Sequence, residues 1–217
     1  MKTAIILGAT GLTGSQLLDL LLHDERFDQV KVLVRRSTGV SHAKLEEHII
    51  DFDQPESWAS LVTGDMLFST LGATRANAGG TDGQYKVDYT YQYQVAEAAA
   101  NNGVKTYVLV SSTGADANSS FFYMRMKCEL DRDVQQLPFE KIRILRPGPL
   151  DGDRKENRPF EKTGLAFIKA FNQIGLFKRY RPIHVREVAK AMIHAAFKEN
   201  SGSEIYESEE VFVLAAQ

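Results

Sequence analysis

Short apolar stretches alternate with amphipathic ones along most of this chain, and that rhythm predicts its architecture. Residues 3–8 (TAIILG) are apolar and β-branched and run straight into glycines, the pattern of a buried strand entering a turn. Leu12 to Leu22 is amphipathic and then gives way to polar residues, which predicts a helix. Residues 29–34 (QVKVLV) read as a second strand. Strand, glycine turn, helix and strand make a βαβ unit, so these two strands run parallel. The alternation continues with a strand near 45–50, a short helix near 55–62 and a strand at 65–70 (DMLFST). A long helix over 82–102 stops at Asn102-Gly103, a good C-terminal signal. The clearest buried strand is 104–111 (VKTYVLVS), followed by a helix near 119–136 and a strand at 140–146. The last quarter is read as helices near 161–174 and 185–198 and a short terminal strand around 209–214. Strands alternating so regularly with helices predict an α/β fold, a doubly wound parallel sheet with helices on both faces and a small C-terminal extension.

Composition narrows the class. A chain of 217 residues suits one domain over 1–217, and its 43% apolar and 25% charged residues match ordinary globular proteins. The net charge of -2 and pI near 6.2 give no basic footprint, which argues against nucleic acid or an anionic membrane as the main partner. Cys128 is the one cysteine, so no intrachain disulfide or thiolate cluster can form, and a reducing cytoplasm is the expected setting. The N-terminus shows no signal-peptide apolar region, and no run approaches the roughly 18 apolar residues of a spanning helix. The five histidines, His23, His42, His48, His184 and His194, lack any clustered ligand spacing, so no metal site is expected.

The chemistry begins at GATGLTG. Gly8, Gly11 and Gly14 stand three apart between the first strand and the first helix. Gly8 permits the tight turn, Gly11 lets backbone approach a pyrophosphate, and Gly14 lets helix and strand pack closely. Thr10, Leu12 and Thr13 complete the loop, and the helix N-terminus offers free N–H groups and the positive end of its dipole to phosphates. This is a Rossmann-type dinucleotide site. An acid about 20 positions on would hold the ribose of NAD, but the second strand ends in Val34-Arg35-Arg36-Ser37. Two guanidiniums suit a 2′-phosphate, so NADP(H) is expected in preference to NAD(H). Asp51 and Phe52, after the third strand, are candidates to border the adenine. The loop 72–81 (GATRANAGGT) and the segment 150–184 are expected on the substrate side, because ligands bind at the carboxyl ends of such strands.

Together the GxxGxxG spacing, SSTGA after the strong strand, Tyr123 and Lys127 in YMRMK, RPG at 146–148 and IHVREVAKA near the end resemble the atypical short-chain dehydrogenase/reductases. The patterns STLGATR, SSTGAD and DRKENRP are similar to those of the Tat-interacting-protein family and its bacterial NAD(P)-binding relatives. The resemblance implies that Tyr123 and Lys127 are the YxxxK pair. At i and i+4 they share a helix face, where an ammonium stabilises tyrosinate and fits the phenol for proton transfer. It further implies that Lys127 holds the nicotinamide ribose and that Ser112, or else Ser111, hydrogen-bonds the reacting carbonyl. Thr70, Leu71 and Gly72 would line the cofactor, with Arg146, Pro147 and Gly148 approaching its carboxamide side.

Two classes of function follow. One is an NADPH-dependent oxidoreductase acting on a small carbonyl-type substrate; the other is an NADP(H)-binding regulator or scaffold without turnover, since one fold hosts many functions. Tyr85, Tyr89 and Tyr93 recur every four residues on the long helix, as expected of core packing or of a face for a second copy or protein partner.

Overall fold

The computed structural model describes residues 2–152 and 181–217. The helix expected near 161–174, and the segment 150–184 over residues 153–180, lie outside the described residues. The first unit is β1 (Lys2–Leu7), α1 (Leu12–Leu22) and β2 (Phe27–Val34), as the apolar pattern predicts. There follow β3 (Leu45–Ile49), α2 (Pro55–Trp58) with a 3-10 turn to Leu61, β4 (Met66–Ser69) and α3 (Thr81–Tyr85). A π turn (Lys86–Thr90) joins α3 to α4 (Tyr91–Asn101), so the long helix forms but is interrupted. Next come β5 (Thr106–Val110), α5 (Phe122–Val134), β6 (Lys141–Arg146) and the paired short strands β7 (Leu150–Asp151) and β8 (Ile183–His184). The chain continues with α6 (Val185–Ala196), β9 (Gly202–Glu207) and α7 (Ser208–Ala215).

Seven of the strands form one parallel sheet in the order β3-β2-β1-β4-β5-β6-β9. The order reverses between β1 and β4, which opens a crevice at their carboxyl ends. Period-two alternation sends Ala4 and Ile6 to one face and Ile5 and Leu7 to the other, and each face has its own core. One core packs Leu17 and Leu21 of α1 with Val188 and Met192 of α6 and Val211 of α7; the other packs Trp58, Val95, Ala99, Leu130 and Val134. The sheet is thus doubly wound.

The end of the chain corrects the sequence reading. Residues 209–214 are helical, not a strand: Glu207 and Glu210 form a capping box that starts α7, and β-branched Val211 and Val213 read as a strand only in isolation. The strand of the seven-stranded sheet that the sequence pattern misses is β9, which lies beside β6 through its register Ile144↔Ile205. His184 caps α6, its Nδ1 accepting from the Arg186 N–H at 3.2 Å.

Candidate active site

The glycine loop fits its turn with no room for side chains. Gly8 sits at φ +90°, and a Cβ there would come within 2.7 Å of the Leu71 nitrogen. A Cβ on Gly14 would lie 2.1 Å from the Gly8 carbonyl oxygen. The Gly11 N–H donates to that same carbonyl at 2.9 Å, and Gly11 is the N-cap of α1. No side chain caps this helix and no acid lies in its first turn, so its N-terminal amides are available to an anion. Thr10 and Gly11 are exposed at the loop, Leu12 is half-buried, and Thr13 is buried. Across the crevice, the Thr70 hydroxyl donates to the Leu7 carbonyl at 3.0 Å, tying the end of β4 to that of β1.

A cavity of about 350 Å³ opens beside the loop, lined by Gly8 and Thr10, by Leu33, Val34, Arg35 and Arg36 from the end of β2, and by Phe52 and Leu71. Arg35 and Arg36 are exposed, and neither makes an ion pair or hydrogen bond among the described residues. Asp51 does not line this cavity. Its carboxylate caps its own turn, accepting from the Asp53 N–H at 3.0 Å and from Gln54 Nε2 at 3.1 Å. Phe52 is held from behind by stacking on Tyr91, with ring centroids 5.1 Å apart.

The second cluster lies at the ends of β5 and β6 and along α5. Tyr123 is half-buried in the first turn of α5, and its hydroxyl makes no hydrogen bond among the described residues. Lys127, one turn on, is 3% exposed; its Nζ lies 3.4 Å from the Val110 carbonyl oxygen and 4.0 Å from Asp88 Oδ1. Burial pushes the Lys127 ammonium down, but the charges of Tyr123, Asp88 and Asp131 outweigh it and hold the lysine above its ordinary range. Ser112 is half-buried and donates to the Thr113 carbonyl at 3.3 Å, whereas Ser111 is buried with its Oγ unpartnered. Of the two serines, Ser112 is thus the partly exposed one and Ser111 the buried one.

Arg146, Pro147 and Gly148 act at the floor of this region. Arg146 Nε donates to Asp131 Oδ2 at 2.9 Å and its Nη1 to Glu207 Oε1 at 3.1 Å. The Pro147 carbonyl accepts from the Thr113 N–H at 3.0 Å, and Gly148 is pressed against the Arg181 carbonyl. Gly72 is exposed, and a Cβ there would lie 3.3 Å from Asp88 Oδ1.

Two buried acids were not singled out from the sequence. Asp88 lies on the π turn, 2% exposed, and accepts from the Ala73 N–H at 2.9 Å. Burial raises its carboxyl, opposed by Lys127 and by that N–H. Gln84, Asp88 and Gln92 are all buried at four-residue spacing, a polar stripe on the core face that could have drawn attention. Asp131 follows Lys127 by four, extending the spacing of Tyr123 and Lys127. Among the described residues no cluster of potential metal ligands occurs and no helix is long and apolar enough to cross a membrane.

With this geometry in hand, the family model described as NAD(P)H-binding matches residues 8–198. The chain belongs to that family. Among its relatives, the mitochondrial protein fmp52 of Aspergillus niger is 36% identical over 99% of this chain and 95% of its own. The FMP52 protein of Saccharomyces cerevisiae, also named mitochondrial, is 38% identical over 88% and 86%. The named relatives are thus FMP52-type proteins within the broader resemblance. A UDP-N-acetylglucosamine 4-epimerase from Methanobrevibacter ruminantium shares the fold, with a TM-score of 0.71 and 18% identity over 95% of this chain and 76% of that one. The NAD⁺ complex of WbmH from Bordetella bronchiseptica does so at a TM-score of 0.68 and 18% identity, over 96% and 76%. The chain therefore belongs to an NAD(P)H-binding family and carries the Rossmann-type α/β fold of these structures.

The relatives' names overturn one expectation. A single cysteine and the lack of a secretory signal point to a cytoplasmic setting, yet relatives at 36–40% identity over most of the chain are named mitochondrial. Cysteine count reports the redox state of a compartment and does not distinguish one reducing compartment from another.

Proposed function

We propose that this family member is an NADP(H)-dependent oxidoreductase acting on a small carbonyl-type substrate. The observation that carries the cofactor preference is the cavity beside the glycine loop. It is lined by two arginines without partners among the described residues and by no carboxylate. Each guanidinium can meet a 2′-phosphate through paired N–H donors, while the ribose-binding acid that would favour NAD is absent from the end of β2. The uncapped N-terminus of α1 fits the diphosphate, and Phe52 and Leu71 offer apolar surface to the adenine.

A nicotinamide coenzyme supplies or accepts the hydride when bound. The protein's part is proton transfer and orientation. Tyr123 Oη, whose proton is uncommitted among the described residues, hands that proton to the substrate oxygen during reduction and takes it back during oxidation. The Lys127 ammonium stabilises the tyrosinate that remains and offers N–H donors to the ribose. Ser112 Oγ turns from the Thr113 carbonyl to donate to the substrate oxygen as charge develops there.

The test is Tyr123→Phe. With a panel of quinones, aldehydes and ketones, wild-type protein is expected to oxidise NADPH faster than NADH. The variant should lose at least about 100-fold in kcat, the usual worth of a general acid, while NADPH affinity changes less than about threefold. Undiminished turnover removes Tyr123 from the chemistry. No oxidation of NADPH by wild type across the panel, together with coenzyme-dependent binding of a protein partner, favours a regulator.

A further inference from the structure

The acid that reaches Lys127 stands where the neighbouring helix departs from α geometry. Asp88 lies in the π turn between α3 and α4, 2% exposed, and both of its oxygens face donors. Oδ2 accepts from the Ala73 N–H at 2.9 Å. Oδ1 lies 4.0 Å from Lys127 Nζ and is crowded by Gly72, where a Cβ would come within 3.3 Å of it. Two acceptor positions suit an ionised carboxylate. The glutamines four residues to either side bind the same stretch of chain. Gln84 Nε2 donates to the Ala73 carbonyl at 3.0 Å, while Gln92 accepts from the Ser69 hydroxyl at 2.6 Å and donates to the Asp88 carbonyl at 2.7 Å. Gln84, Asp88 and Gln92 are all buried, so the end of β4 and the loop that follows it are strapped to this helix by side chains. A π turn set inside a helix is uncommon and is found frequently at functional sites.

We propose that Asp88 is a positioning residue that ties the loop after β4 to the proton-transfer pair: one carboxylate oxygen holds the Ala73 N–H and the other holds the Lys127 ammonium. Lys127 needs such a partner. It is 3% exposed, and its one hydrogen bond among the described residues, to the neutral Val110 carbonyl, is long at 3.4 Å. A buried ammonium without a counter-ion is strongly disfavoured and sheds its proton instead. Tyr123 and Asp131 on α5 also favour the lysine's charge, but among the described residues neither is bonded or paired to its Nζ, and Asp131 is committed to Arg146 of β6. Asp88 is therefore the group placed to hold the ammonium, and the same carboxylate fixes where the loop begins. Since loop 72–81 is expected on the substrate side, its seating and the charge of the lysine are linked through one side chain. That purpose rests on the oxidoreductase reading, but the test needs no turnover.

The experiment is NMR of the full chain, with ¹³C at lysine Cε to follow Lys127 through a pH titration and ¹⁵N to follow hydrogen exchange at the Ala73 amide. The Lys127 signal is the one missing from Lys127→Arg. Asp88→Asn keeps an oxygen for the Ala73 N–H but removes the charge, so the Lys127 midpoint should fall by about one unit or more while Ala73 exchange stays near that of wild type. Asp88→Ala removes both, and Ala73 should then exchange at least about tenfold faster while core amides such as Ile6 keep their rates. An unshifted Lys127 midpoint in Asp88→Asn, or an Ala73 amide no faster in Asp88→Ala than in wild type, overturns the proposal. Should these variants fail to fold, Lys127→Met reads the pair from its other side. The ¹³C-labelled Asp88 carboxyl should then titrate about one unit or more higher than in wild type, and an unchanged midpoint overturns the proposal equally. Failure of the oxidoreductase reading shows elsewhere, as undiminished turnover in Tyr123→Phe, whatever these midpoints and exchange rates are.

Discussion

Gly14 has the least freedom of any residue in the loop. A Cβ there would meet the Gly8 carbonyl oxygen at 2.1 Å and Thr70 Oγ1 at 2.6 Å, and the first of these is backbone that cannot step aside. Gly14→Ala is therefore expected to cost about 1–3 kcal/mol, the usual range for forced overpacking, and to weaken NADPH binding; urea unfolding reads the first effect. Gly103→Asn is the control: φ is +82° with open space around it, and asparagine tolerates that conformation, so its cost should stay under about 1 kcal/mol. Equal losses in the two would contradict the steric reading. The glycine triplet was legible in the sequence because backbone geometry alone dictates it. Asp88 and Asp131 were not, since an acid on an amphipathic helix is ordinarily solvated and only packing against the neighbouring elements buries it. Ser111 and Ser112 could not be separated for a related reason: which of two adjacent hydroxyls faces the crevice depends on how the chain leaves β5.

Among the elements, the paired helices α4 and α5 show what spacing can and cannot foretell. Tyr85, Tyr89 and Tyr93 form the expected stripe, stacked with ring centroids 4.7 and 6.1 Å apart. Tyr89 also reaches across from the π turn to donate to Asp133 Oδ2 at 2.6 Å. The Asp133 carboxyl lies below its usual range because of Arg132 first and of Tyr89 as well. A lowered aspartate contributes stability above its unfolded pKa, near ~4, and loses it as pH falls through the lowered value. Tyr89→Phe should accordingly cost about 1 kcal/mol at pH 7, and the gap from wild type should shrink toward pH 3. A gap that stays constant over that range in thermal unfolding would exclude the charge-dependent part. The π turn itself had no signature in the sequence, because a one-residue widening hardly disturbs apolar periodicity. The strand expected at 209–214 failed because VFVL suits either structure in isolation, and the capping box that decides for helix lies just upstream.

Across the whole molecule, the order of the sheet puts the N-terminal βαβ unit at the crevice and leaves β9 at the far edge. That edge is secured by Arg143, fully buried on β6, whose guanidinium donates to the carbonyls of Ile142, Gly202 and Asn200 and lies 3.6 Å from Glu204. Arg143→Met should strand these acceptors and cost roughly 3 kcal/mol or more, with hydrogen exchange accelerated first in 202–207. Uniform exchange rates in the variant would contradict that localisation. Fold class and glycine loop were readable because alternating apolar runs and a glycine triplet are local, whereas β9 joins the sheet by pairing with β6 residues 61 positions away, as in Ile144↔Ile205. The most direct test of the central claim is calorimetry of wild type and Arg35→Asp with NADPH and NADH. Expected is tighter binding of NADPH than NADH by wild type, with the preference reduced about tenfold or more in the variant through loss of a charge-assisted phosphate contact. No heat with either coenzyme, or a preference unchanged by Arg35→Asp, would contradict it.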